Sequence, residues 1–311
     1  MNTVLKNMEE LMEQARRSKK KTIGVVAAED EDVLEAVKTA VSANIARAIL
    51  IGDEGKIKNL IEKIQLASAE IEIINQPVPQ KAALQALDLF HSRKIDLLMK
   101  GDITTGTFLR VLLNKENGVR TDKILSHVGV FEVDGVDKLM YLSDAAINIK
   151  PDIQEKVDIC KNAIYVAHCL GNTEPNLALI TPFERVELDS IPSSVDAALI
   201  AKMGDCGQIK GAKIEGPISL DLAVSRKAAR VKGYSRPIAG EADIFIVNDI
   251  DAGNVFYKGL VYFARARMAG VVAGAKAPII LTSRADSEET KLLSIALSIV
   301  IREVELICSK L

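Results

Sequence analysis

Short apolar runs alternate with helical patterns along almost the whole chain of 311 residues. The first four runs are TIGVVAA (22–28), RAILIG (47–52), IEIIN (71–75) and IDLLMKG (95–101). Runs that are apolar on both faces are typical of parallel strands covered by helices. Right-handed crossovers then place the carboxyl ends of the strands, and the loops after them, along one edge of the sheet. The sequence therefore predicts an α/β protein with its ligand-binding residues in those loops.

The alternation is interrupted once, by residues 124–144, where two apolar stretches flank the turn-like DGVD and predict an antiparallel hairpin. A second series then predicts strands at 176–183, 209–216 and 242–249, a helix at 254–268 and a strand at 278–283. We place a domain boundary near 148–151, because Pro151 suits the first turn of a new helix. The predicted domains are residues 1–148 with 287–311, and residues 149–286. The final helix is expected to cross back to the first domain.

Composition and charge exclude several classes of protein. Hydrophobic residues make up 48% and charged residues 26%, as in ordinary soluble domains. The net charge of -2 and the absence of Trp leave no electrostatic or stacking surface for nucleic acid. The four Cys and three His show neither CxxC nor HExxH spacing, so neither a metal site nor a disulfide framework is expected. The charged N-terminus and the lack of any apolar run of membrane-spanning length predict a cytoplasmic protein without a membrane partner.

Glycine spacing excludes the common nucleotide-binding loops. None of the 19 glycines is followed two residues later by another, so GxGxxG cannot occur, and GxxxxGK[ST] is also absent. The chain is therefore expected to hold its ligand without the standard dinucleotide or phosphate loop.

The first candidate site is MKGDITTGTFLR (99–110), which leaves a strand and opens a helix. Free backbone N–H groups at a helix start and the hydroxyls of Thr104 and Thr105 suit an anion, and Arg110 would add paired donors. The alternative is an ordinary helix cap followed by a solvated arginine.

The second candidate is TSRADSEET (282–290), at the end of the last predicted strand. Asp286 or Ser287 can cap the following helix, and Glu289 has capping-box spacing from Asp286. Capping does not explain Ser283 and Arg284, which a parallel strand would deliver to its carboxyl edge. An ion pair between domains is the alternative for Arg284.

The third candidate is IVNDIDAGNVFYKGL (246–260), where a strand turns into a helix. A tight loop with an Asx cap accounts for the pattern on structural grounds alone. A functional version would place Asn254 and Lys258 beside a polar ligand.

These stretches together resemble the phosphate acetyl/butyryltransferase family. EGPISLDLA, DIDAGNVFYK and LTSR correspond in order to three family motifs, and YLSDAAINIKPD is similar to a fourth. The order and spacing agree from about Lys100 to Ser287. KGDITTGTFLRVLLNKENGVR and Ser-Arg-Ala-Asp-Ser resemble the butyryl branch more than the acetyl branch.

The resemblance implies two three-layer αβα domains of the isocitrate/isopropylmalate dehydrogenase type, with the site in the cleft between them. It implies transfer of a butyryl group between coenzyme A and inorganic phosphate, with CoA as a substrate, no permanently bound cofactor and no metal. It also favours a homo-oligomer, a dimer or larger. The implied catalytic residues are Ser283, Arg284 and, from the other domain, Arg110; the implied phosphate or CoA contacts are Thr104, Thr105, Asp144, Asn254, Tyr257 and Lys258.

The chain departs from the family at one position. Acetyl-type members carry an aspartate seven residues beyond the serine, which is thought to act as a base on the CoA thiol, and here that position is Thr290. Asp286 and Glu289 are the nearby candidate bases. Phosphate is already partly dianionic near neutral pH, so its attack on a thioester needs placement and oxyanion stabilisation more than proton removal.

Three other functions compete with this interpretation. The first is an acetyl-specific phosphate acyltransferase. The second is a non-catalytic phosphotransacetylase-like regulatory or oligomerisation domain, against which the joint presence of Ser283, Arg284 and Arg110 argues. The third is a dehydrogenase of the related fold, which would need a metal-binding aspartate cluster that the sequence lacks.

Overall fold

The computed structural model confirms the α/β alternation predicted from the sequence. It describes residues 3–66, 69–283 and 285–308. The chain forms two compact units. Unit A is Met8–Lys123 with Met268–Leu311, and unit B is Met1–Asn7 with Ile124–Arg267.

The elements follow one another in a regular order. The part before the hairpin contains α1 (Met8–Arg17), β1 (Lys21–Val26), α2 (Glu31–Ser42), β2 (Ala46–Gly52), α3 (Glu54–Lys63), β3 (Ile71–Asn75), α4 (Pro79–His91), β4 (Leu97–Lys100) and α5 (Thr105–Leu112). The middle contains β5 (Ser126–Glu132), β6 (Met140–Ser143), α6 (Ile153–Cys169), β7 (Asn176–Ile180), α7 (Pro192–Asp205), β8 (Lys213–Ile218), α8 (Leu220–Val224), α9 (Arg226–Val231), β9 (Ile244–Ile246) and α10 (Ile250–Lys258). A π-helical turn (Gly259–Phe263), β10 (Arg267–Ala273), β11 (Ile279–Ile280) and α11 (Glu288–Cys308) complete the described chain.

The strands of unit A lie in the order β3-β2-β1-β4-β11-β10. The first five are parallel, and β10 pairs antiparallel with β11. Residues of β1 and β4 are almost all buried, as expected for strands covered on both faces. Since β4 and β11 are parallel neighbours, the loops that follow them leave the sheet at the same edge.

The strands of unit B lie in the order β5-β6-β9-β7-β8. The predicted hairpin is present, because β5 pairs antiparallel with β6. The remaining pairs, β6 with β9, β9 with β7 and β7 with β8, are parallel. The loops after β6 and β9 therefore share one edge of this sheet.

The units divide the chain at other residues than the predicted boundaries. The hairpin belongs to unit B, because β6 pairs with β9, more than a hundred residues later in the chain. The segment 268–286 belongs to unit A, because β11 pairs with β4. Ser283 and Arg110 therefore lie in the same unit, whereas the sequence analysis places Arg110 in the other domain.

Strand β10 is missing from the sequence prediction, in which the strand after the helix at 254–268 is 278–283. The sequence pattern predicts a helix at 254–268, but α10 ends at Lys258, the π-helical turn follows, and a strand begins at Arg267. Its residues from Met268 to Ala273 are all buried. The local pattern does not distinguish a short buried strand from a buried helix segment, and the pairing with β11 decides the outcome.

The final helix is central to unit A. It packs on α1, α2, β4 and β11, and every residue from Leu293 to Ile301 is buried. A helix that is apolar on all sides belongs in a protein interior. Among the described residues, none of the helices combines the length and the hydropathy that a membrane span requires.

Candidate active site

The loop after β4 makes a close turn at Gly101. A Cβ on this glycine would come within 2.1 Å of the carbonyl oxygen of Ala27. The Gly101 amide donates to the Val26 carbonyl at 2.9 Å, and the Asp102 amide donates to the Ala27 carbonyl at 2.6 Å. Helix α5 therefore begins from a backbone that is fixed to β1.

Thr104 is the N-cap of α5. Its hydroxyl oxygen accepts from the Thr107 amide at 3.2 Å, and the hydroxyl donates to the Thr107 hydroxyl at 2.9 Å. Thr105 is the first helical residue and is exposed. The capping alternative is thus correct for Thr104, while Thr105 is exposed and its predicted ligand contact stays a prediction.

Arg110 lies about one and a half turns into α5 and is exposed. No hydrogen bond or ion pair engages its guanidinium group among the described residues. An arginine held on a short, capped helix beside a sheet edge can therefore turn its five donors to an incoming anion.

The loop after β11 brings Ser283 to the same sheet edge. Thr282 is buried and Ser283 is exposed. The Ser283 amide donates to the Asp286 carboxylate at 2.7 Å, and the Asp286 amide donates to the Ser283 carbonyl at 3.2 Å. The Ser283 hydroxyl oxygen accepts from the Ala285 amide at 3.2 Å, which leaves the hydroxyl proton available for another acceptor. We call Ser283, Ala285 and Asp286 the serine turn; Arg284, the predicted phosphate contact, lies outside the described residues.

Ser287 caps the last helix, as one of the two predicted capping residues. Its hydroxyl oxygen accepts from the Thr290 amide at 3.1 Å. Asp286, the other candidate, instead directs its carboxylate back to Ser283. Glu289 is exposed in the first turn of α11.

Asp144 organises the loop after β6 in unit B. Its side chain is buried and accepts hydrogen bonds from the amides of His127 (3.2 Å), Ala146 (2.8 Å), Ile147 (3.0 Å) and Asn148 (3.3 Å). The Asn148 side chain donates to the same carboxylate at 2.6 Å. These donors occupy the lone pairs of Asp144, so its contacts are with its own loop and with β5.

Helix α10 packs against that loop through small and polar residues. Gly253 faces the Asp144 carbonyl, and the side-chain amide of Asn254 donates to the Ala145 carbonyl at 3.3 Å. Tyr257 meets Phe131 edge to face, with ring centroids 5.9 Å apart. Lys258 is exposed at the end of the helix, one turn beyond Asn254. The structure thus brings Asp144 and Asn254 close together.

Two buried lysines at the sheet edges were not identified from the sequence. Lys100 ends β4 with 8% of its surface exposed, and its ammonium group donates to the Gly101 carbonyl at 3.0 Å. Lys156 of α6 donates to Asp196 at 2.7 Å and to Asn248, just after β9, at 2.6 Å. It lines a shallow, open depression between α6, α7 and the ends of β7 and β9. For Lys100 the available signal was a lysine ending an apolar run; for Lys156 the sequence gives no signal.

The ionisable groups whose pKa is shifted lie outside these loops. Burial raises the pKa of the Glu215 carboxyl, which Arg236 and a hydrogen bond from Tyr234 oppose. Burial also raises the pKa of the Cys160 thiol to about 12. The described residues contain no group of three or more His, Cys, Asp or Glu side chains that could hold a metal ion.

The fold and these loops define an α/β protein whose polar residues gather at the carboxyl ends of parallel strands. The model of the phosphate acetyl/butaryl transferase family matches residues 6–81 and 59–299. The chain belongs to this family, and it is a phosphate acyltransferase.

Relatives and solved structures agree with that assignment. The chain is 49% identical to the phosphate butyryltransferase of Clostridium beijerinckii, over 94% of this chain and 97% of that relative. It is 40% identical to the phosphate acetyltransferase of Thermotoga maritima, over 94% and 99%. Its structure is similar to that of a branched-chain phosphotransacylase from Enterococcus faecalis V583, with a TM-score of 0.80 and 32% identity, over 91% and 99%.

Proposed function

We propose that the protein transfers a short-chain acyl group between coenzyme A and inorganic phosphate in a ternary complex, and that it prefers butyryl to acetyl. The observation that carries this proposal is the pairing of β4 with β11. It delivers the Thr104–Arg110 helix and the serine turn to one edge of the same sheet. The similarity to butyryltransferases and the butyryl-type sequence at both loops favour the four-carbon acyl group.

The proposed reaction is a direct displacement. A phosphate oxygen attacks the thioester carbonyl carbon and forms a tetrahedral oxyanion. Collapse of that intermediate breaks the carbon–sulfur bond, and acyl phosphate and the CoA thiolate leave. Preorganised donors that face the developing charge lower the barrier, and holding both reactants in line adds to this effect.

The candidate site residues of unit A have separate roles in this reaction. Arg110 and Arg284 bind phosphate as a bidentate clamp, and Thr105 and the start of α5 assist them. The Ser283 hydroxyl donates to the thioester carbonyl or to the departing sulfur. This role agrees with its hydrogen bond from Ala285, which occupies the oxygen and not the proton.

The forward reaction needs no side-chain base, since dianionic phosphate is the nucleophile. The reverse reaction must deprotonate a thiol whose ordinary pKa is about 8.5. Asp286 and Glu289 are the candidate carboxylates for that step. The hydrogen bond from the Ser283 amide supports a second, structural role for Asp286.

In unit B we assign Asn254, Tyr257 and Lys258 to CoA recognition. Lys258 supplies a cation at the exposed end of α10, which suits the phosphates of CoA. Asp144 contributes by fixing the loop on which Asn254 packs. CoA is a substrate, no cofactor is permanently bound, and we propose a cytoplasmic homo-oligomer.

The test is phosphate-dependent release of free thiol from acetyl-, propionyl-, butyryl- and valeryl-CoA. We expect the highest kcat/KM with butyryl-CoA, and we expect Arg284→Ala to raise the KM for phosphate and lower kcat. A higher kcat/KM for acetyl-CoA would assign the acetyl-specific alternative. No thioester loss with any of the four would refute the proposal and favour the non-catalytic alternative. A dehydrogenase would instead gain thermal stability from NAD or a divalent metal.

A further inference from the structure

Lys291 is a buried cation at an unfavourable place. It lies in the first turn of α11, and only 1% of its surface is exposed. Burial of an ammonium group costs free energy unless the group is paired, and the partial positive charge of a helix N-terminus adds to that cost. Some contact must therefore hold this side chain in the interior.

The contacts of Lys291 lead to the serine turn. Its ammonium group donates to the Asp286 carbonyl at 2.7 Å and lies 3.5 Å from the carboxylate of Asp32, in the first turn of α2. Asp32 is largely exposed, and the hydrogen bond to the Asp286 carbonyl is the shorter of the two contacts.

Asp286 is the residue that closes the serine turn. Its carboxylate binds the Ser283 amide and its own amide binds the Ser283 carbonyl, so the two residues are joined twice. A shift of Asp286 would be passed on to Ser283. Lys291 thus fixes the end of the turn opposite to the serine.

We propose that Lys291 is a positioning residue that holds the serine turn closed through the Asp286 carbonyl and so places the Ser283 hydroxyl. This inference rests on the proposed function, in which Ser283 touches the thioester. Lys291 itself does not touch the reacting atoms. Its effect reaches the reaction through Asp286 and the turn.

The test compares Lys291→Met with Lys21→Met. Methionine keeps an unbranched side chain of similar size and removes the ammonium group. Lys21 is a matched control, because it is 3% exposed, belongs to unit A and pairs with Glu303 on the same helix without contacting the turn. We expect Lys291→Met to lower kcat for the acyl transfer about tenfold to a hundredfold, with little change in the KM for acyl-CoA. Lys21→Met should keep kcat within about twofold of wild type.

Amide hydrogen exchange gives a readout that does not depend on activity. Lys291→Met should speed exchange of the amides of Ser283, Ala285 and Asp286, whereas Lys21→Met should leave them unchanged. If the wild-type protein transfers no acyl group, the proposed function fails and exchange alone decides whether Lys291 holds the turn. Unchanged exchange in Lys291→Met, or wild-type kcat in an active protein, would overturn the inference.

A double substitution separates the turn from a general loss of stability. Asp286→Ala removes one of the two links between Asp286 and Ser283, so Lys291→Met should lower kcat by a smaller factor in this background than in wild type. If the fold-decreases in kcat of the two single variants simply multiply in the double variant, Lys291 acts outside the turn and the inference is contradicted. An equal decrease in kcat in Lys21→Met would contradict it as well. Lys291→Leu, which likewise lacks a donor for the Asp286 carbonyl, is judged by the same criteria if Lys291→Met does not fold.

Discussion

Gly253 of α10 lies against the main chain of Asp144, so closely that a Cβ on the glycine would come within 2.3 Å of the Asp144 carbonyl oxygen. The same Cβ would lie 2.9 Å from the Cα of Ala145. A backbone contact of this kind cannot be relieved by rotation of a side chain. The helix that carries Asn254 and Lys258 is therefore positioned by a residue without a side chain.

Gly253→Ala should move α10 away from the Asp144 loop. Overpacking typically costs about 1–3 kcal/mol, so we expect a loss of that size in the free energy of unfolding and a higher KM for acyl-CoA. Gly259→Ala is the control, since nothing lies within 4 Å of the added Cβ and Gly259 has helical backbone angles. Denaturant unfolding and steady-state kinetics measure both variants, and equal effects of the two would refute the role given to the contact.

Thr104 and Thr105 should respond differently to substitution. Thr104→Ala removes the N-cap of α5 and should cost about 1 kcal/mol of stability, whereas Thr104→Ser keeps the capping hydroxyl. Thr105→Ala should leave stability unchanged and raise the KM for phosphate. Thermal unfolding and phosphate titration distinguish the two. Unchanged phosphate kinetics in Thr105→Ala would remove Thr105 from the site.

Arg110→Ala should weaken phosphate binding. A hydrogen bond to a charged group contributes about 1.5–3 kcal/mol, so the KM for phosphate should rise roughly tenfold to a hundredfold. Arg110→Lys keeps the charge without the paired geometry and should give a smaller increase. Arg16→Ala, on the exposed end of α1, is the control and should match wild type. A wild-type KM in Arg110→Ala would contradict the clamp.

Glu215 should make stability depend on pH. Because burial raises its pKa in the folded state, folding favours the protonated carboxyl. Stability is therefore lost as the pH rises from the ordinary glutamate range through the raised pKa, and the charged form destabilises the fold above it. Glu215→Gln should raise Tm relative to wild type at neutral pH and leave it unchanged in strong acid. Glu174→Gln, which alters an exposed partner of Lys213, should show no such pH-dependent gain.

The sequence could predict the features that depend on local pattern. Alternating apolar runs predicted β1 to β4 and β11 of unit A and the hairpin, but not β10. The placement of polar residues after strands predicted that 99–110 and 282–283 reach a sheet edge. These predictions succeeded because burial on both faces and the βαβ connection leave few alternatives.

The remaining features depend on contacts between distant residues. The pairing of β6 with β9 determines that the hairpin belongs to unit B, and no local pattern contains that information. The sequence suggests a ligand contact for Asp144, yet most of its partners are backbone amides, which every residue type except proline possesses. Lys156 and Lys291 are charged residues in helical patterns, where solvent exposure is the ordinary expectation, and their burial depends on Asp196 and Asp286.

The position of β11 has a consequence for the order in which the molecule assembles during translation. Unit A is built from the first and last parts of the chain, and β4 keeps a bare edge until β11 has left the ribosome. An unpaired strand edge is a template for wrong partners, whereas unit B is almost continuous and can fold while the chain is still growing. Because Ser283 follows β11, a chain that ends before β11 would lack the serine and would also leave β4 without its neighbour.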